Sequence, residues 1–193
     1  MKKPKPETRI LGIDDAPFER GDGCTEIIAS LFRGKKSLEA VLSAEVEIDG
    51  LDSTEKIIGM VKGSKFYPQI QAVLLDGITF GGFNIVDMER MASELDVPVI
   101  AVTRGRPDKE SIYEAVENLE NSEERSFLVK KAGRVYSKET GNGKLYFQFK
   151  GSSEKEARQI LELAIDESIL PEPVRISHII ATGVKTGESS GDA

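Results

Sequence analysis

The chain has one cysteine, Cys24, and one histidine, His178, in 193 residues. A lone cysteine closes no intrachain disulfide and cannot build a structural zinc site by itself. No apolar run approaches the roughly 20 residues that a bilayer demands. The basic, proline-containing start Met1–Glu7 has no apolar segment behind it, so no secretory signal is expected and the chain reads as cytoplasmic, with no membrane partner. P-loop, GxGxxG, CxxC and GxSxG motifs are all missing, as is any internal repeat. Basic excess is missing too. The formal charge of −7 argues against a protein that coats nucleic acid in bulk. It does not exclude an enzyme with a carboxylate metal site, because bound cations and a local basic patch offset the negative charge.

What is present is an ordinary globular balance, 39% hydrophobic and 31% charged, over a length that suits one domain, residues 1–193. The ends, Met1–Glu7 and Thr186–Ala193, are expected to fray. Thr8–Ile13 reads as a strand that ends in Asp14-Asp15. Cys24–Phe32 and Leu38–Ile48 follow as strands, with a tight turn at Gly34-Lys35-Lys36, so the chain opens as a β-meander. Asp52-Ser53-Thr54 offers an N-cap for a helix over Glu55–Lys62. Ile70–Leu75 is a short apolar run of the kind buried on both faces, and it ends at Asp76-Gly77.

Asn84 is expected to cap a helix that reaches Leu95. Val97–Val102 is another buried strand, and Asp108 starts a helix through Asn118. A charged stretch precedes a hairpin, Arg134–Ser137 and Leu145–Phe149, around Gly141-Asn142-Gly143. Ser153 caps a helix, and Pro171 and Pro173 precede the last one, Val174 to about Lys185. The order predicts an α/β fold: a mixed five-stranded sheet that contains a three-stranded antiparallel meander, with flanking helices.

Asp14 closes the first strand and Asp76 the fourth. If those strands lie side by side, both carboxylates stand in the crevice beyond the strand ends, where open α/β sheets bind ligands. Two close carboxylates resist ionising together unless a cation sits between them. Hard oxygen ligands suit Mg²⁺, with Mn²⁺ as the alternative. Two such ions about 3.5–4 Å apart could activate water and stabilise the leaving oxygen of a phosphodiester. Taken singly, an Asp-Gly at a strand end is ordinary turn chemistry. The pairing of two such ends is what carries the metal reading.

Asp52 is the third acidic candidate, with helix capping as its other role. Asp15 points to the opposite face and reads as supporting or structural, and Glu55 is a weaker alternative ligand. His178 is a metal ligand or proton carrier if its helix docks beside the strand ends, and otherwise a plain surface or core histidine. Arg104 and Arg106 follow the fifth strand, where they either face a phosphate backbone or belong to a solvated loop. Arg175, just ahead of His178, is a further candidate nucleic-acid contact. Phe80 and Phe83 lie in a glycine-rich loop and either stack on a base or pack into the core.

These segments together resemble endonuclease V, a metal nuclease of the ribonuclease H-like fold that cleaves near deaminated bases. Leu11-Gly12-Ile13-Asp14 and Val73-Leu74-Leu75-Asp76-Gly77 are similar to its metal-binding strands. Leu170–His178 is similar to its C-terminal Leu-Pro-Glu-Pro segment. Gly12–Asp15 and Gly77–Asn84 more closely resemble an archaeal branch of that superfamily, endonuclease dU. The resemblance implies a ribonuclease H-like sheet and, as partner, DNA containing deoxyuridine from cytosine deamination.

The chain departs from endonuclease V where that family handles the damaged base. The Pro-Tyr-Ile-Pro wedge is replaced by Ile48–Asp52, and the histidine after Asp-Gly by the Ile78–Gly82 loop, so inosine specificity does not carry over. The family's glutamate ligand can be placed only on Asp52. Two other readings stay open: a non-catalytic nucleic-acid-binding module of the same fold, and a protein-interaction domain, which the acidic charge favours.

Overall fold

The computed structural model describes residues 4–190. β1 (Arg9–Asp15) is an interior strand of the sheet, buried along both faces. β2 (Cys24–Arg33) and β3 (Ser37–Glu47) continue from it as the expected antiparallel meander. On its other side β1 pairs in parallel with β4 (Ala72–Asp76), and β4 with β7 (Val99–Thr103). The fold is α/β and ribonuclease H-like, with helices on both faces.

The strands sort their side chains by alternation. Leu11, Ile13, Val73, Leu75, Val99 and Ala101 face one way, onto apolar residues of α1 (Ser53–Gly63), α2 (Met88–Leu95), α3 (Lys109–Glu117) and α4 (Ser122–Ala132). Ile10, Ala72, Leu74, Ile100 and Val102 face the other way, onto α5 (Glu154–Ala164) and α6 (Glu172–Thr186). Each fully buried Ile or Leu contributes about 1.5–3 kcal/mol. A slip of one residue in β1 would reverse every one of these contacts, so the register of the central strands is strongly specified.

The sheet has seven strands, not five. The hairpin β8 (Tyr136–Thr140) and β9 (Gly143–Lys150) joins it, with β9 antiparallel to β7, in the order β3-β2-β1-β4-β7-β9-β8. The charged stretch before the hairpin contains α4, whose inward row is Arg125, Val129 and Ala132. An arginine inside the apolar stripe hides this helix from a hydrophobicity pattern. Arg125 is 3% exposed and donates to the carbonyls of Asp49, Gly50, Phe83 and Glu120.

Asn84 does not cap α2; Asp87 does, accepting from the Glu89 and Arg90 amides. Asn84 instead lies in β6 (Asn84–Ile85), which pairs with β5 (Thr79–Phe80) in a small ribbon where a flexible loop was expected. Its Oδ1 accepts from the Ser53 amide at 3.0 Å, so it serves the start of α1 from across the fold. The fraying expected of the termini falls partly on residues 1–3 and 191–193, outside the described residues. Within them, Lys5 and Thr8 close a turn, and α6 runs on to Thr186. No described helix is long and apolar enough to cross a membrane.

Candidate metal centre

The β1–β4 register pairs Ile13 with Leu75, so the next residue on each strand, Asp14 and Asp76, emerges side by side at the strand ends. Both follow the alternation of Ile10, Ala72 and Leu74 and therefore lie on the α6 face. Asp14 is 4% exposed.

α6 closes over this point because Gly12 lets it approach. A Cβ on Gly12 would stand 2.1 Å from the carbonyl carbon of Pro173. Pro173 sits in the first turn of the helix, where its missing N–H is not needed. Two buried serines fasten the contact. Ser30 Oγ donates to the Pro173 carbonyl at 2.6 Å. Ser177 Oγ accepts from the Ser30 amide at 3.0 Å and donates to the Gly12 carbonyl at 2.9 Å, bridging two residues that are register partners. The following residue, His178, reaches Asp14: its Nδ1 lies 2.8 Å from Oδ2.

Asp14, Asp76 and His178 thus each offer one ligand atom, and these atoms lie within 4.8 Å of one another. The electrostatics of the group are strained. Burial raises the pKa of Asp14 above its ordinary value, against the opposing pull of the His178 hydrogen bond. Asp76 is pushed up to about 7, first by burial and then by the charge of Asp14. The bond to Asp14 raises His178 in turn. No described residue donates a hydrogen bond to the Asp76 carboxylate. Two recessed carboxylates, one without a donor, fit a divalent cation, which would restore the ionised forms of both. The donor set of two hard oxygens and one imidazole nitrogen is compatible with Mg²⁺ or Mn²⁺.

Asp52 stands apart from this group. Its Oδ1 accepts from Asn84 Nδ2 at 2.7 Å and from the Glu47 amide at 3.2 Å. It occupies the expected N-cap position of α1, where its carbonyl accepts from the Lys56 amide, but its side chain makes no cap bond. Glu55 is turned outward onto Arg90. Asp15 has a larger part than its alternation promised: Oδ2 accepts from the Gly81 amide at 2.8 Å and ties the Gly77–Asn84 segment to β1. Burial and then the charge of Asp14 push Asp15 to about 6.

Arg104 is exposed, and its charge lowers the pKa of both Asp14 and Asp76. Arg106 is exposed further along, beside Arg134. Arg175 is occupied, its guanidinium held by both oxygens of Glu172 at 2.9 and 2.7 Å. Phe80 is fully buried and cannot stack on a base. Phe83 is half-buried against the core. Ser30 and Ser177 carry no sequence signal beyond their core-facing positions in a strand and a helix, and the motif that includes Gly12 gives no sign of its packing role.

Comparison with known proteins follows the same lines. Residues 6–185 match the family described as Endonuclease dU. A UPF0215 protein of Methanopyrus kandleri is 43% identical over 195 residues, which span 100% of this chain and 99% of the relative. A solved structure, a protein of unknown function from Archaeoglobus fulgidus, is 40% identical, with a TM-score of 0.83 over 91% of this chain and 97% of that one. Endonuclease V of Ciona intestinalis, solved with DNA that contains an inosine, has a TM-score of 0.58 at 11% identity, over 88% of this chain and 82% of its own. At that identity the likeness shows the fold alone.

Proposed function

This chain belongs to the endonuclease dU family, and from that premise we propose that it is a Mg²⁺-dependent DNA endonuclease acting at deaminated bases, deoxyuridine first among them, in DNA repair. The observation that carries the reading is the meeting of Asp14, Asp76 and His178 within 4.8 Å at the ends of two parallel strands. An endonuclease V-like nuclease fold and a relative of that fold solved with inosine-containing DNA support it.

Asp14 and Asp76 would hold the metal, Mg²⁺ or Mn²⁺, through carboxylate oxygens. A divalent ion bound there supplies Lewis acidity toward a phosphoryl oxygen and a water of lowered pKa. The rest is done by the chain. Ser30, Ser177 and Gly12 hold α6 so that His178 keeps its Nδ1 on Asp14. That bond orients the ring as a ligand or as a carrier of one proton. Arg104 adds positive charge where a phosphate would approach. Asp52 has no part in this reading, since it lies outside the Asp14–Asp76–His178 group and its Oδ1 is engaged by Asn84 and the Glu47 amide.

The test is a panel of labelled oligonucleotides carrying uracil, hypoxanthine, xanthine or normal bases, incubated with Mg²⁺, Mn²⁺ or EDTA. Nicking of the uracil strand is expected with metal and not with EDTA, and Asp76→Asn should abolish it in a folded protein. Salt-dependent binding that survives EDTA, without nicking under any condition, would establish a binding module instead.

A further inference from the structure

A second space lies across the sheet from the metal cluster, on the face that α3 and α4 cover. A cavity of about 210 Å³ begins at Gly77, the residue after Asp76, between the ends of β4 and β7. Ile78, Ile112 of α3 and Val129 of α4 give it apolar walls. Gln148 of β9 also lines it, brought there by its register opposite Ala101, and is only 4% exposed. Its Nε2 donates to the Gly133 carbonyl at 3.0 Å. That bond assigns the amide, because the reverse orientation would set oxygen against oxygen. Gln148 Oε1 accepts from no described residue, yet it is not sealed from solvent. The Thr79 hydroxyl on the same wall also has no hydrogen-bond partner among the described residues.

A fixed, unused acceptor in an apolar slot selects a ligand that brings an N–H. We propose that this cavity receives the extruded base of the substrate strand, and that Gln148 Oε1 accepts the ring N–H that deamination creates. Cytosine and adenine carry a bare ring nitrogen on their pairing edge. Uracil and hypoxanthine carry a proton on the same atom. The acceptor therefore meets a lone pair in the parent base and a donor in the deaminated one, and a site built for a hydrogen bond rejects the partner that cannot make it.

Thymine and guanine also have a ring N–H, but in normal DNA each must be pulled from a matched pair. A uracil left by deamination sits opposite guanine and is cheaper to extrude. Gln148 is a specificity residue in this assignment, and Thr79 can donate to a ring carbonyl. The assignment rests on the nuclease reading for its substrate.

The experiment compares uracil with N3-methyluracil, each opposite guanine in the same duplex, for the wild type and Gln148→Met. Both nicking with Mg²⁺ and affinity in EDTA are read. Methylation should lower the wild-type values by roughly ten- to a hundredfold. Gln148→Met should lose a similar factor on uracil and no longer distinguish the two bases. Equal handling of both bases by the wild type would overturn the assignment. So would a preference that persists undiminished in Gln148→Met, since that would be a steric effect of the methyl group. If the wild type nicks neither duplex, the nuclease reading fails, and the affinity ratio in EDTA decides the base site alone. The wild-type comparison requires no substitution, so a misfolded variant does not blunt the test.

Discussion

Asp52 and Asp76 both sit where a strand gives way to something else, yet they have opposite surroundings. Asp52 is met by an asparagine amide and a backbone N–H, with Lys56 at 3.9 Å. Asp76 receives no hydrogen bond from any described residue and faces the like charge of Asp14. The same functional group is therefore a finished structural bond in one place and an unmet demand for positive charge in the other. A carboxylate's chemistry is set by what already occupies its lone pairs, and of these two aspartates Asp76 is the one grouped with further candidate ligands, Asp14 and His178.

The largest effect should come from disturbing the helix that covers the Asp14–Asp76 side. Gly12→Ala drives a methyl into the backbone of Pro173, which cannot swing aside as a side chain can. A loss of at least about 3 kcal/mol in denaturant unfolding is expected, with metal-dependent nicking lost even where the protein stays folded. Wild-type stability in this variant would mean that α6 is not seated on β1.

Next in size is a pair of substitutions expected to differ in sign. In EDTA, Asp52→Ala should destabilise by about 1–3 kcal/mol, because Asn84 and the Glu47 amide lose their acceptor. Asp76→Asn should raise the melting temperature, because it removes a recessed charge that Arg104 and His178 offset only in part. If both lower it, the contrast between the two aspartates is broken.

The pH dependence is smaller and follows from the same cause. Asp76 and Asp15 are raised from 3.8 to about 7 and about 6, and Asp14 and His178 are raised as well. Above pH 3.8 the unfolded chain releases carboxyl protons that the folded chain keeps, so metal-free stability falls as pH rises from about 4 through about 7. Mn²⁺ binds the ionised forms and should reverse the trend, stabilising more at pH 8 than at pH 5. Thermal melts in EDTA and in Mn²⁺ check both signs.

Much of this was legible in the sequence where one residue and its local pattern decide the outcome. The strand ends at Asp14 and Asp76 could be placed because buried parallel strands read as apolar runs that stop at the charge. His178 could be named because it is the only histidine, although its pairing with Asp14 depends on a docking between residues 164 positions apart. What stayed hidden depended on partners in space. Asn84 reads as the start of the helix after it and instead serves the one before it. Arg125 reads as a surface charge, and only the carbonyls of the distant Asp49, Gly50 and Phe83, with that of the nearby Glu120, explain its burial. Phe80 sits in a segment that looks like a flexible loop, and its ribbon pairing is what sends the ring into the core.

Isothermal titration of Mn²⁺ into the wild type, Asp76→Asn and Asp52→Asn at one pH tests the central claim most directly. Binding by the wild type and by Asp52→Asn with similar affinity, and its loss in Asp76→Asn, is the expected result. Equal binding by all three proteins, or a loss confined to Asp52→Asn, would place the cation elsewhere and contradict the account.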